Sequence, residues 1–161
     1  MVDKRELRRI SIINNLSDEM LEMLGKVGEL KIFSEGTTLF NQGEVLDDCY
    51  MILSGTVLLE VHPAKDIIIT LNNLEPGTCF ALSSLIPGSI SQNSAVCAQS
   101  CELLVLPADK LHELFSEQHE LGYQFMYRIM RIFKERMDHR TQLFLRALKN
   151  HPELEHLFSN Q

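Results

Sequence analysis

The stretch FSEGTTLFNQGEVLDDCYMILSG, residues 33–55, decides the fold. It holds short apolar runs cut by glycine: Thr37–Asn41 between Gly36 and Gly43, then Cys49–Ser54 ahead of Gly55. Runs of this length, bounded by residues that accept positive φ, read as strands joined by tight turns. The same rhythm continues on both sides. Leu30–Ser34 runs into the start of the stretch; Thr56–Val61, a polar hairpin over Val61–Asp66, Ile67–Leu71 and the turn Glu75-Pro76-Gly77 follow it, and Cys101–Leu106 supplies a late strand. Many short strands with Gly/Pro punctuation predict two packed antiparallel layers, a sandwich, barrel or jelly roll.

Between the last two strand regions lies TCFALSSLIPGSISQNSAVCA, residues 78–98. It reads as a strand, a polar loop over Ser83–Asn93 and a return strand. Small polar residues in such a loop can wrap a small ligand. A solvated turn is the plainer alternative.

Three short motifs occur in order: Phe33-x-x-Gly36, Gln42-Gly43-Glu44 and Tyr50-x-Ile52-x-x-Gly55. Each is weak alone. Together, at this spacing and followed by Phe80, they resemble the cyclic-nucleotide-binding domain, the sensor half of the catabolite-activator and fumarate-nitrate-regulator proteins. The resemblance covers about residues 10–140. It implies a mainly β fold with flanking helices: an antiparallel double-stranded β-helix (a jelly roll, cupin-like) with N-terminal helices and a long C-terminal helix. The chain then divides into a helical lead (1–29), a β-roll (30–106), helices including a dimerisation helix (107–149) and a tail (150–161).

The resemblance also assigns residues 78–98 as the phosphate-binding cassette. The family's Phe-Gly-Glu becomes Phe80-Ala81-Leu82, and its Arg and small polar residue become Gln92 and Asn93. The expected ligand-contacting set is Phe80, Ala81, Leu82, Ser83, Ser84, Gln92, Asn93 and Ser94. The family's arginine pairs with the cyclic phosphate and its glutamate with the ribose hydroxyl. Here no Lys or Arg lies between Lys65 and Lys110. Losing one charged hydrogen-bond partner costs on the order of 1.5–3 kcal/mol, roughly 10- to 150-fold in affinity. The expectation is therefore no cofactor, or cyclic AMP or cyclic GMP held weakly and atypically. Leu82 in place of glutamate suits a less charged ligand.

Outside the roll, the N-terminal part carries helical signals. Leu7, Ile10 and Ile13 recur at helical spacing, and Ser17 is a good N-cap for a helix bearing Asp18 and Glu19 in its first turn. After Pro107, one short helix with Leu111, Leu114 and Phe115 on a face is predicted, then a long helix from His119 to Arg140, then a further helix over Thr141–Asn150 ended by His151-Pro152. Apolar residues of the long helix cover more than one stripe, so it needs more than one surface. Its seam of Met126, Ile129, Phe133 and Met137 is the predicted homodimer contact, with the roll as the other surface.

Charge narrows the partners. Residues 10–120 hold 16 acids against 4 lysines, whereas residues 122–149 hold 7 basic residues against 2 acids. An acidic body disfavours nucleic acid, whose non-specific binding rests on Lys and Arg. The tail is too short for a helix-turn-helix module, so the regulators' DNA-reading half is not expected. No run of about 18 apolar residues suggests a membrane span, and the charged MVDKRELRRI start is not a secretory signal, which predicts a cytoplasmic protein. Cys49, Cys79, Cys97 and Cys101 lie in strand-like runs without a CxxC pair and read as buried thiols.

Chemistry has no anchor. His62 is the only histidine between Leu30 and Leu106, where a metal cupin needs two or three. His112, His119 and His139 share no helix face. No GxSxG, HExxH or GxxxxGK[ST] occurs, so no enzyme and no metal are expected. The predicted role is a non-enzymatic ligand-sensing module addressing an unidentified protein effector. The alternatives are a ligand-free scaffold, a sensor of another small molecule or of haem, and a cupin-type enzyme.

Overall fold

The computed structural model describes residues 2–151. Two compact units divide it, one through Phe125 and one from Met126 onward, the border falling inside one helix.

The first unit opens with α1 (Lys4–Leu7) and α2 (Asp18–Val27). Ser17 caps α2 as its sequence predicts: Ser17 Oγ accepts from the Met20 amide at 3.2 Å. Asp18 receives both Lys4 Nζ at 2.9 Å and Arg8 at 2.5 Å, which ties the two helices across their connection and holds its carboxyl below the usual range. The apolar set Leu7, Ile10, Ile13, Leu16, Leu21 and Leu24 is fully buried. Arg9 donates to the Leu53 carbonyl and Ser11 to that of Gly77, fastening the lead onto the roll.

Eight strands follow: β1 (Glu29–Phe33), β2 (Thr38–Phe40), β3 (Asp48–Ser54), β4 (Val57–Ala64), β5 (Ile67–Leu74), β6 (Cys79–Phe80), β7 (Ser94–Cys97) and β8 (Cys101–Pro107). They form two four-stranded antiparallel sheets, ordered β1-β8-β3-β6 and β2-β7-β4-β5. This is the predicted jelly roll. The inner faces share one core of Phe40, Tyr50, Ile52, Val57, Phe80, Ala95, Leu103 and Val105. Central strands β3 and β8 are buried on both faces. Their other face carries Cys49, Met51, Leu104 and Leu106, with Leu104 and Leu106 against Gly28 at the end of α2. The predicted hairpin over Val61–Asp66 is a turn at Lys65-Asp66 only, since β4 runs through Pro63 to Ala64.

The turn glycines take the conformations the motifs require. Gly36, Gly43, Gly55 and Gly77 have φ between 78 and 89°. At Gly55 the backbone also leaves no room: a Cβ would stand 2.6 Å from Cys101 Sγ and from the Ser100 carbonyl oxygen. All four cysteines are free and buried, and burial pushes the Cys49 thiol up to about 12.

The short helix predicted after Pro107 is α3 (Ala108–Glu117), and the Phe115 ring packs on Phe125 with centroids 5.2 Å apart. α4 then runs His119–Lys149 as one helix of 31 residues. The separate helix expected from Thr141 is not separate. No glycine or proline stands between Tyr123 and His151, so nothing interrupts the hydrogen-bond ladder. In the second unit Ile129 is buried, while Met126, Met130, Phe133, Met137, Leu143, Phe144 and Leu145 are exposed. The exposed seam is therefore Met126, Met130, Phe133 and Met137, with Met130 in place of the expected Ile129. The tail beyond His151 lies outside the described residues.

Candidate functional site

The cassette is built upward from an aromatic floor. Phe80 on β6 stacks on Tyr50 of β3 with centroids 5.1 Å apart and planes 16° from parallel. Phe40 of β2 leans on both rings, at 6.1 and 6.4 Å. Phe80 has no exposed surface, so it anchors the cassette in the core rather than lining its open side. Burial also pushes the Tyr50 phenol up to about 12, keeping it neutral.

The chain leaves β6 through Ala81, whose φ of 53° and ψ of 30° are left-handed. It is the one non-glycine residue with positive φ among the described residues. Alanine here carries strain of about 1–2 kcal/mol, at the position where the resemblance places glycine. A 3-10 turn over Leu82–Leu85 follows, an element not legible as more than a loop beforehand. Its hydrogen bonds are local: the Ser84 amide donates to the Ala81 carbonyl at 3.0 Å and the Ile86 amide to that of Ser83 at 2.9 Å.

The predicted contact residues divide sharply. Leu82 is 2% exposed and lies inside the protein. Ser84 is buried too, and its Oγ has no hydrogen-bond partner among the described residues. Ser94 is buried and engaged, its Oγ accepting from the Gln42 amide at 2.9 Å. Gln92 is exposed, and Ala81, Ser83 and Asn93 are half-buried. So Ser83, Gln92 and Asn93 are the polar side chains of the set available to a ligand, and none carries charge.

The return limb is held by a segment whose part in the cassette the sequence does not announce. The Gln42-Gly43-Glu44 motif zips against it: the Gly43 amide donates to the Ser91 carbonyl and the Ser91 amide to the Glu44 carbonyl, both at 2.8 Å. The Leu46 amide donates to the Ser89 carbonyl, and Val45 bridges Ile90. Ser91 closes the corner, its hydroxyl donating to the Asn93 carbonyl at 2.5 Å. Glu44 in turn accepts from the Asn41 amide at 2.8 Å and the Asn41 side chain at 2.9 Å. Those two bonds, the backbone one foremost, hold its carboxyl below the usual range. Exposed Val45, Ile86 and Ile90 add an apolar rim.

Chemically the arrangement offers uncharged donors and acceptors beside apolar surface, with the Glu44 carboxylate on the clamp and Glu60 opposite Ser94 in the sheet. Among the described residues of the cassette and its clamp no cation faces an anion. Among the described residues no group of three or more His, Cys, Asp or Glu is placed to hold a metal ion. No helix of the described residues is long and apolar enough to cross a membrane.

The comparisons agree with this architecture. The family model for the cyclic nucleotide-binding domain matches residues 30–118. The cGMP-dependent protein kinase, isozyme 1, of Drosophila melanogaster is 28% identical over 118 residues, which are 71% of this chain but 15% of the kinase. A cyclic nucleotide-binding domain from Methylobacillus flagellatus superposes with a TM-score of 0.81 at 20% identity, covering 92% of this chain and 87% of that one. The Thermus thermophilus catabolite activator protein gives 0.71 at 22% identity, over 86% and 63%. Identities this low establish the fold alone. The family match spans more than half of the sequence and coincides with the β-roll and its cassette, so the chain belongs to the cyclic nucleotide-binding domain family.

Proposed function

We propose that this chain is a non-enzymatic, ligand-sensing regulatory module whose cassette holds a cyclic nucleotide only weakly and favours a small uncharged ligand. The observation that carries the reading is the pairing of an intact loop with a neutral lining. Phe80 and the Gln42–Leu46 clamp keep the loop folded, while buried Leu82 and exposed Gln92 stand at the positions that the family resemblance gives to glutamate and arginine. A cyclic phosphate would find backbone amides and the amides or hydroxyls of Ser83, Gln92 and Asn93, without a charge-assisted partner.

The roll (30–106) senses in this reading and the helices (107–149) carry the output. Ligand in the cassette shifts the population between two arrangements of α4, and the exposed seam Met126, Met130, Phe133 and Met137 pairs with a second copy. The recipient of the signal is a protein effector. The burial of Leu82 favours one second reading, a ligand-free scaffold using the same seam.

Calorimetric titration with cyclic AMP and cyclic GMP tests the proposal. Wild-type protein should show only millimolar-range binding, and Gln92→Arg, at an exposed position, should tighten it roughly 10- to 150-fold. Micromolar binding by the wild type refutes the neutral-cassette reading. A Gln92→Arg protein that folds but still fails to bind supports the scaffold.

A further inference from the structure

Sulfur is distributed unevenly over the surface. The chain has four cysteines and seven methionines. All four thiols are free and buried, which makes them poor targets for an oxidant in water. Of the methionines among the described residues, Met51 has no exposed surface, and Met20 and Met23 of α2 are half-buried. The exposed ones are Met126, Met130 and Met137, at 42, 68 and 63%. All three belong to α4. At about 100° per residue they fall within roughly 40° of the helix circumference, with Phe133 beside them. The thioethers that water reaches first therefore share one face of one helix, and that face is the seam.

A thioether reacts without first losing a proton, unlike a thiol. Its lone pair attacks one oxygen of hydrogen peroxide, the S–O bond forms and the O–O bond breaks. The proton on the transferred oxygen moves to the departing hydroxide, which leaves as water. Sulfur loses two electrons and the peroxide gains them. The sulfoxide product turns an apolar side chain into a polar one. It is a hydrogen-bond acceptor, and the seam of Met126, Met130, Phe133 and Met137 holds no side-chain donor to meet it. The nearby Lys134 ammonium is engaged by Asp138 on the same helix. An acceptor buried without a donor opposes any packing of this face.

We propose that Met126, Met130 and Met137 form a peroxide-oxidised site whose sulfoxides switch off the apolar face of α4. The switching half rests on the proposed pairing of that seam with a second copy. Pairing covers the sulfurs, so oxidation takes place on the separated chain and holds it separated. Methionine sulfoxide reductases return the sulfoxide to the thioether, so the change is reversible.

Peroxide mapping on the full chain tests the site. Dilute protein is treated with hydrogen peroxide, quenched, digested and analysed by mass spectrometry. Met130 and Met137 should gain oxygen first, Met126 next, Met20 and Met23 later, and Met51 and the thiols last. Oxygen gained at Met20, Met23 or a cysteine as early as at the seam would overturn the site. Light scattering tests the switch. Reduced protein should associate, oxidised protein should be monomeric, and reductase treatment should restore the pair. The triple variant Met126→Leu, Met130→Leu, Met137→Leu nearly conserves volume and should associate with or without peroxide. The matching triple Gln variant, polar from the start, should be monomeric without it. Leu and Gln are both good helix formers, and circular dichroism checks that the variants fold. Association that survives complete oxidation of the three sulfurs, or a Leu variant that peroxide dissociates as it does wild type, would overturn the switch. A reduced wild type that is already monomeric refutes the seam pairing instead, and the mapped order of oxidation still decides the site.

Discussion

Replacing Gly55 by alanine should cost far more stability than the same change at Gly36, although both glycines have positive φ and both end a family motif. Gly36 has φ 78° and nothing within 4 Å of an added Cβ. Its cost is the left-handed strain alone, about 1–2 kcal/mol, less about 0.4–1 kcal/mol returned through the unfolded chain. Gly55 has φ 89°, and its Cβ would meet Cys101 Sγ and the Ser100 oxygen at 2.6 Å and Cys101 Cα at 2.8 Å. Two of those three atoms are backbone, and β8 begins there, paired on both sides, so retreat displaces the central strand. Forcing a methyl into a packed site adds about 1–3 kcal/mol. The backbone and unfolded-state contributions cancel between the two variants, leaving a difference of about 1–3 kcal/mol. Urea unfolding of wild type, Gly36→Ala and Gly55→Ala measures it, provided the denaturant slope m is unchanged. Equal losses at the two sites would refute the argument that close approach to β8, and not φ alone, demands glycine at residue 55.

Three further outcomes follow from the cassette. Ala81→Gly should raise stability by up to about 1 kcal/mol, since relief of left-handed strain exceeds the added freedom of the unfolded chain; a thermal unfolding midpoint below wild type contradicts the backbone assignment. Ser84→Ala should stabilise by about 1 kcal/mol by removing a buried hydroxyl without a partner, and a loss of that size would mean that the hydroxyl is satisfied. Glu44 has a folded pKa below its unfolded one, so its contribution is present above about pH 4.3 and fades as pH falls through the lower folded value. Glu44→Gln should therefore lose stability near neutrality and show a shallower acid limb, read as denaturation midpoints between pH 2 and 7; parallel profiles would refute the role of the Asn41 bonds.

The roll was legible because its turns advertise themselves. A glycine at φ near 80° has few substitutes, and Gly36, Gly43, Gly55 and Gly77 all report such a position. Ser17 was legible as a cap for a similarly local reason. The cassette's interior was not. Ala81 adopts a glycine conformation without being glycine, so composition gives no sign of it, and Leu82 and Ser84 turn inward where the family resemblance placed ligand contacts. Ile129 and Met130 are neighbours, and apolar spacings of three and four fit either one, so only the folded helix separates buried from exposed. β5 misleads in the other direction. IIITL has the composition of a buried strand, yet its burial depends on neighbours that the sheet order does not supply.

The strand order carries a consequence for biosynthesis. β8, last of the eight to be made, sits between β1 and β3, so the sheet's middle is filled only after both flanks have waited for it. Pairing Glu29 with Val105 closes a loop of most of the roll, a long-range contact of the kind that slows folding. At translation rates of about 5–20 residues per second, β1 spends several seconds on the ribosome without its partner. A nascent chain arrested before Cys101 can pair β3 with β6 but lacks the strand that joins β1 to them.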